Sequence, residues 1–263
     1  MIIDTHCHLY LQEFDADIDA VIERAGQAGV KQFYLPAIDS STDSRLLELE
    51  SRYPEKCFAM MGLHPTSVKE NYEEELRRVR DWLQKRSFAA IGEIGLDFYW
   101  DKTFETEQLK AFEVQIELAL QYDKPIVIHS RNALDECINM VHPYQARRLN
   151  GIFHCFSGSL EQAQRIIDAG FYLGIGGVLT YKNSGLDKVV ASIALEHMVL
   201  ETDAPYLSPV PFRGKRNESS YLQYVIEKLA QVKDIDRGEV AAITSANAAK
   251  VFALANLPGG TSI

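Results

Sequence analysis

The chain has 263 residues, 46% of them apolar and 24% charged, with a formal net charge of −10. That length allows two average domains or one α/β barrel of about 250 residues, and the acidic balance argues against a protein that coats nucleic acid through bulk electrostatics. No stretch approaches the roughly 20 apolar residues of a membrane span, and MIIDTH lacks the basic start and apolar core of a signal peptide, so a cytoplasmic location is expected. Four scattered cysteines (Cys7, Cys57, Cys137, Cys155) form no C-x-x-C pair and read as reduced, packed thiols.

The first element, MIIDTHCHL, is strand-like, and side-chain alternation puts His6 and His8 on one face. Two imidazoles held side by side suit a metal ion, although H-x-H alone is a weak signal. Seven more apolar runs follow: KQFYLPAI, CFAMMGLHP, FAAIGEIGLD, KPIVIHSR, GIFHCFSG, FYLGIGG and MVLETDAP. Between and after them lie helix-like stretches over 17–28, 41–53, 73–85, 105–122, 133–144, 159–169, 185–194, 219–232 and 238–254. Ser159 with Gln162 three residues on reads as a capping box, and Gly170 as that helix's stop. Strands alternating with helices indicate βα units on a parallel sheet. With no low-complexity linker, eight such units predict a single domain over 1–263: an α/β fold of the closed (β/α)8 TIM-barrel type, with an open doubly wound sheet as the competitor.

The strand ends carry the chemistry. Five of the seven histidines terminate apolar runs: His6 and His8 the first, His64 the third, His129 the fifth and His154 the sixth. Glu93 ends the fourth and Asp203 the eighth, while His142 and His197 fall elsewhere. Singly, each has an ordinary reading: a packed histidine, a turn glutamate, a capping aspartate. Jointly they would all have to reach one rim without purpose, because the C-terminal ends of barrel strands converge on one face. Four imidazoles and two carboxylates match two divalent ions sharing one carboxylate, and Glu93, midway around the barrel, is the natural bridge. Asp4 and Glu201, two residues before His6 and Asp203, are expected on the same inward face to orient the imidazoles from one layer deeper.

The segments DTHCH, GLHP, GEIGLD, HSR, HCFSG and LETDAP, in this order and across nearly the whole chain, resemble the successive motifs of the TatD family of metal-dependent hydrolases. The resemblance implies an amidohydrolase-like barrel, metal bound by His6, His8, Glu93, His129, His154 and Asp203, and deoxyribonuclease activity, often from a 3′ end. PFRGKRNESS resembles the family's basic loop, with Ser219 where proline is expected.

The expected catalytic residues are Asp203 and Glu93, with Asp203 binding one metal and orienting or deprotonating water. His64 and Arg131 are expected to hold a phosphate, and Arg213, Lys215 and Arg216 to track a nucleic-acid backbone. The expected cofactors are two divalent ions, Mg, Mn or Zn, and the expected partner is a single-stranded DNA end or another phosphodiester. No membrane and no obligate protein partner are expected. Competing readings are a hydrolase of amides or carboxylic esters, such as an acyl-tRNA or small-molecule deacylase, and a metal-binding protein without turnover.

Overall fold

The computed structural model describes residues 1–252. Eight short apolar strands run parallel: β1 (Ile2–Asp4), β2 (Val30–Leu35), β3 (Cys57–Ala59), β4 (Ile91–Asp97), β5 (Ile126–Arg131), β6 (Gly151–Phe153), β7 (Phe171–Ile175) and β8 (Met198–Leu200). Regular ladders join β1 to β3 and β4 to β8 in sequence order. Backbone hydrogen bonds close both seams. Thr5 N donates to Leu200 O (3.0 Å) and Asp203 N to His6 O (2.9 Å); opposite, Ala89 N donates to Ala59 O (2.9 Å) and Gly92 N to Met61 O (3.1 Å). The ring is therefore a (β/α)8 barrel and not an open sheet.

The helices are α1 (Ile18–Gln27), α2 (Asp43–Arg52), α3 (Tyr72–Lys85), α4 (Glu105–Gln121), α5 (Leu134–Val141), α6 (Leu160–Asp168), α7 (Leu186–Ala191), α8 (Leu222–Lys233) and α9 (Arg237–Phe252). Local chemistry sets their ends. In α6, Ser159 Oγ accepts from Gln162 N, Gln162 Oε1 accepts from Ser159 N, and Gly170 follows at φ +88°. The predicted last helix extends to Ala253 and Leu254, which lie outside the described residues. Among the described residues, no helix is long and apolar enough to cross a membrane.

Two apolar layers hold the barrel. One side chain from each of seven strands or the residues flanking them fills the interior: Ile3, Tyr34, Met60, Ala90, Val127, Ile152 and Val199. The end of α9 packs against this plug through Ala248, Val251 and Phe252, whose ring stacks on Tyr34 at 3.7 Å. The larger cluster lies between strands and helices. Strand ladders stop earlier than the apolar runs do: only Ile2–Asp4 of the first run is ladder, and a bend at Thr5 releases His6 and His8 above the plug. Because the Tyr34–Phe252 stack seals the plug, Phe252→Ala should cost about 3 kcal/mol, the lower end for a buried Phe truncation, measured as a lower denaturant midpoint at unchanged slope.

Candidate metal centre

Alternation sets which side chains face the barrel mouth. Val127 and Ile152 lie in the interior plug, so His129 and His154, two residues on, point up the same channel. Val199, Glu201 and Asp203 follow the same parity. In β4 the parity shifts: Ala90 and Glu93 are both inside, and the ladder has a register irregularity between Ile91 and Ile94. Glu93 N donates to Ala37 O (3.1 Å), pinning the carboxylate's backbone across to the segment after β2. Glycine is needed beside it, because a Cβ on Gly95 (φ +133°) would run into the His129 carbonyl oxygen.

The two Glu93 oxygens face different donors. Oε2 lies 3.1 Å from His6 Nε2 and 3.4 Å from His8 Nε2; Oε1 lies 3.0 Å from His129 Nδ1 and 3.6 Å from His154 Nε2. Asp203 Oδ1 stands 3.6 Å from His6 Nε2, 3.5 Å from His8 Nε2 and 4.0 Å from His154 Nε2. The two Nε2 atoms of His6 and His8 are 3.2 Å apart. Ligands around a tetrahedral ion with bonds near 2.0–2.1 Å are separated by roughly 3.3 Å, so these separations are those of donors around a shared cation. The donor set fits divalent metal on a second count. His6 is fully buried, and burial together with the charge of His154 pushes its pKa down, which favours the neutral form whose Nε2, facing Glu93 and Asp203, can act as a ligand.

Neighbouring groups set the imidazole tautomers. Tyr10 Oη donates to Pro36 O (2.6 Å), so it accepts from His8 Nδ1 (3.0 Å); in the neutral ring this leaves the Nε2 lone pair toward the centre. Asp97 Oδ2 contacts His129 Nε2 at 2.9 Å, and Glu201 Oε1 lies 3.0 Å from His154 Nδ1. Gly174 makes room for Glu201, whose carboxylate a Cβ there would strike. His64 is arranged differently. Its Nδ1 accepts from Thr66 N (3.1 Å), so the neutral ring carries its proton on Nε2, 3.4 Å from Glu93 Oε1. His64 is thereby a donor facing the mouth and not an available lone pair.

Two expected residues sit elsewhere. Asp4 does not join His6 on the inner face: its carboxylate accepts from Thr202 N (3.0 Å), Thr202 Oγ1 (2.6 Å) and His6 N (3.4 Å), and touches no imidazole. The bend at Thr5 breaks the alternation on which that expectation rested. Burial lifts the Asp4 carboxyl to a pKa of about 6 despite those bonds. Arg216 turns away from the mouth, gripping Asp17 with both amino groups (2.7 and 2.8 Å) and donating to Glu13 O. It buttresses the loop after β8. Arg131, Arg213 and Lys215 do line the cavity of about 1030 Å³ above the centre, together with His64. Sequence reasoning missed Tyr10, two residues past His8, and Asp97, the closing residue of GEIGLD; Tyr10 had a legible signal, a polar group one strand period from a proposed ligand, and Asp97 a weaker one, a carboxylate closing the strand that carries Glu93.

The profile of the family described as "TatD related DNase" matches residues 3–253. The chain belongs to the TatD family. It is 39% identical over 253 residues, covering 96% of this chain and 99% of the other, to the uncharacterized metal-dependent hydrolase YabD of Bacillus subtilis. It is 31% identical to a 3′-5′ ssDNA/RNA exonuclease TatD of Edwardsiella piscicida, covering 96% and 100% of the two chains. The crystal structure of YjjV, a TatD homolog from Escherichia coli, superposes with a TM-score of 0.90 at 32% identity over 96% of this chain and 98% of that one. The chain is thus a metal-dependent hydrolase of the TatD family on a (β/α)8 barrel.

Protonation opposes metal uptake in this TatD centre. Burial pulls the His8 pKa down, but Asp203 and Glu93 outweigh it and raise it to about 9; Glu201, Glu93 and Asp203 likewise raise His154 to about 10. Both imidazoles therefore hold a proton more tightly than a free imidazole does, and each would have to give it up to serve as a ligand. Metal uptake should release protons, and affinity should climb as pH rises from about 6 to 8. Calorimetry in buffers of different ionisation enthalpy measures this; a pH-independent affinity without proton release would rule these imidazoles out as ligands.

Proposed function

We propose that this chain is a metal-dependent deoxyribonuclease that removes nucleotides from the 3′ end of single-stranded DNA, with two divalent ions held by His6, His8, Glu93, His129, His154 and Asp203. The observation that carries the reading is the division of Glu93: its two oxygens serve two donor groups on opposite sides of one carboxylate. Divalent ions held there would supply Lewis acidity, making water nucleophilic near neutral pH and offsetting charge that develops on phosphoryl oxygens. The imidazole-rich donor set favours Zn or Mn over Mg. The whole chain, 1–263, would act as one barrel domain, and its free thiols suit the cytoplasm.

The chain's own groups would divide the work. Asp203 is ionised: burial opposes this, but His154, His8 and His6 hold its carboxyl below the usual range. It reaches the mouth from the ligand cluster, where it can accept the proton of the attacking water and return it to the leaving oxygen. His64 Nε2–H can donate to a non-bridging phosphoryl oxygen, and the Arg131 guanidinium offers two parallel donors to the next phosphate. Arg213 and Lys215, lining the same cavity, supply local positive charge in an acidic protein. Arg216 supplies none, being committed to Asp17.

Asp203→Asn preserves shape while removing the proton acceptor. Turnover should fall roughly 10²-fold or more with the metal content, read by elemental analysis, largely kept; near-normal turnover would reduce Asp203 to a positioning group. The reading as a whole is tested with one single strand offered in linear and circular form. We expect mononucleotide release from the linear strand alone, abolished by chelation. Equal cleavage of the circle would overturn end dependence, and inertness toward both, with hydrolysis of a carboxylic ester panel, would make the protein an acyl hydrolase.

A further inference from the structure

The mouth of the centre carries an aromatic surface that neither metal binding nor the barrel core uses. Trp100 is 68% exposed and Tyr99 51%, in a chain that buries most of its large apolar side chains. Exposed aromatics of this size usually pack away or mark a contact surface. These two are held in place. Asp97 Oδ1 accepts from Tyr99 N (3.0 Å) and Trp100 N (3.1 Å), while the other oxygen of the same carboxylate orients His129. Their rings meet edge to face at 4.9 Å, and the Arg131 guanidinium lies 3.9 Å from the centre of the Tyr99 ring and 5.0 Å from that of Trp100. Arg131 is itself two residues from His129 on β5, so His129, the Arg131 guanidinium and the aromatic face are linked through Asp97 and one strand.

We infer that Trp100, backed by Tyr99 and Arg131, is a stacking platform for an unpaired nucleobase adjacent to the scissile phosphate. This rests on the nuclease reading and adds the element that would select single strands: a base still paired in a duplex has no free face to offer. The chemistry fits a base better than an aliphatic or acyl group. An indole face beside a guanidinium presents a flat, polarisable, cationic surface, as base-stacking sites in single-strand binders do. The indole lines the same cavity as His64, Glu93 and Arg213, so a base on it and a phosphate at the centre belong to one continuous strand. Tyr206, 50% exposed, lines the cavity too, giving the strand a second aromatic wall.

The test separates base from charge. Phosphorothioate-linked tetrathymidylate and an abasic tetramer with the same linkages carry equal charge, so counterion release cancels between them. Binding to the metal-loaded protein is measured by competition against a labelled strand. Wild type should prefer the base-bearing tetramer about tenfold or more, the scale of one base–aromatic stack. Trp100→Ala should erase that preference, and Trp100→Phe should restore most of it. The platform is overturned by equal binding of the two tetramers to wild type, or by a Trp100→Ala protein that keeps the preference. If wild type then still degrades ordinary linear single strands, the nuclease reading survives; if it degrades none, both fall.

Discussion

The structure is organised around one buried carboxylate. Glu93 is almost wholly removed from water, and burial alone would protonate it; the surrounding imidazoles of His6, His64 and His154, with the His129 hydrogen bond, hold its pKa well below the usual range. A charge in that position is tolerable only with hydrogen-bond donors, positive groups or a metal around it. No local segment can supply that enclosure. Donors to this β4 carboxylate must come from the ends of β1, β3, β5 and β6 at once, so the closure of the barrel at both seams is also the condition for the centre to exist. Glu93 sits one residue beyond the β3–β4 seam bond at Gly92, and His6 accepts at the β8–β1 seam through its carbonyl.

Around this charge, each further residue takes its part from what it can do to an imidazole. Tyr10, Asp97 and Glu201 face outer ring nitrogens, directing lone pairs or charge inward; Thr66 does the reverse to His64 and makes it a donor. One tautomer choice thereby sets His64 apart from the other four strand-end histidines. The loop after β8 is fastened from below: Arg216 to Asp17, Glu218 to Arg24 at 2.6 Å, and Asn217 Nδ2 to the carbonyls of Thr202 and Tyr206 at 2.8 and 2.7 Å. That anchoring leaves Arg213 and Lys215 at the cavity while spending Arg216 on structure.

Much of this is written in the chain itself. Eight apolar runs alternating with amphipathic stretches state a βα series, because burial on both faces demands continuous apolar strands and one-faced helices. That His6, His8, Glu93, His129, His154 and Asp203 terminate those runs is equally a sequence fact, and a parallel barrel brings every such terminus to one rim. The Ser159 capping box and the stop at Gly170 are local, so their signals survive any tertiary context.

What the tertiary structure alone decided is wherever strict alternation fails or a long side chain has a choice. Asp4 was expected beneath His6 by counting in twos, but the bend at Thr5 turns it out to Thr202. In β4 the register irregularity brings Glu93 inward three residues after Ala90, a displacement no periodicity encodes. Arg213 and Arg216 are indistinguishable as letters in RGKR, and only the position of Asp17, nearly 200 residues earlier in the chain, commits one of them to an ion pair. The physical reason is common to all three. Side-chain period and residue type are local properties, whereas parity breaks and ion-pair choices depend on groups that meet only after the barrel has closed.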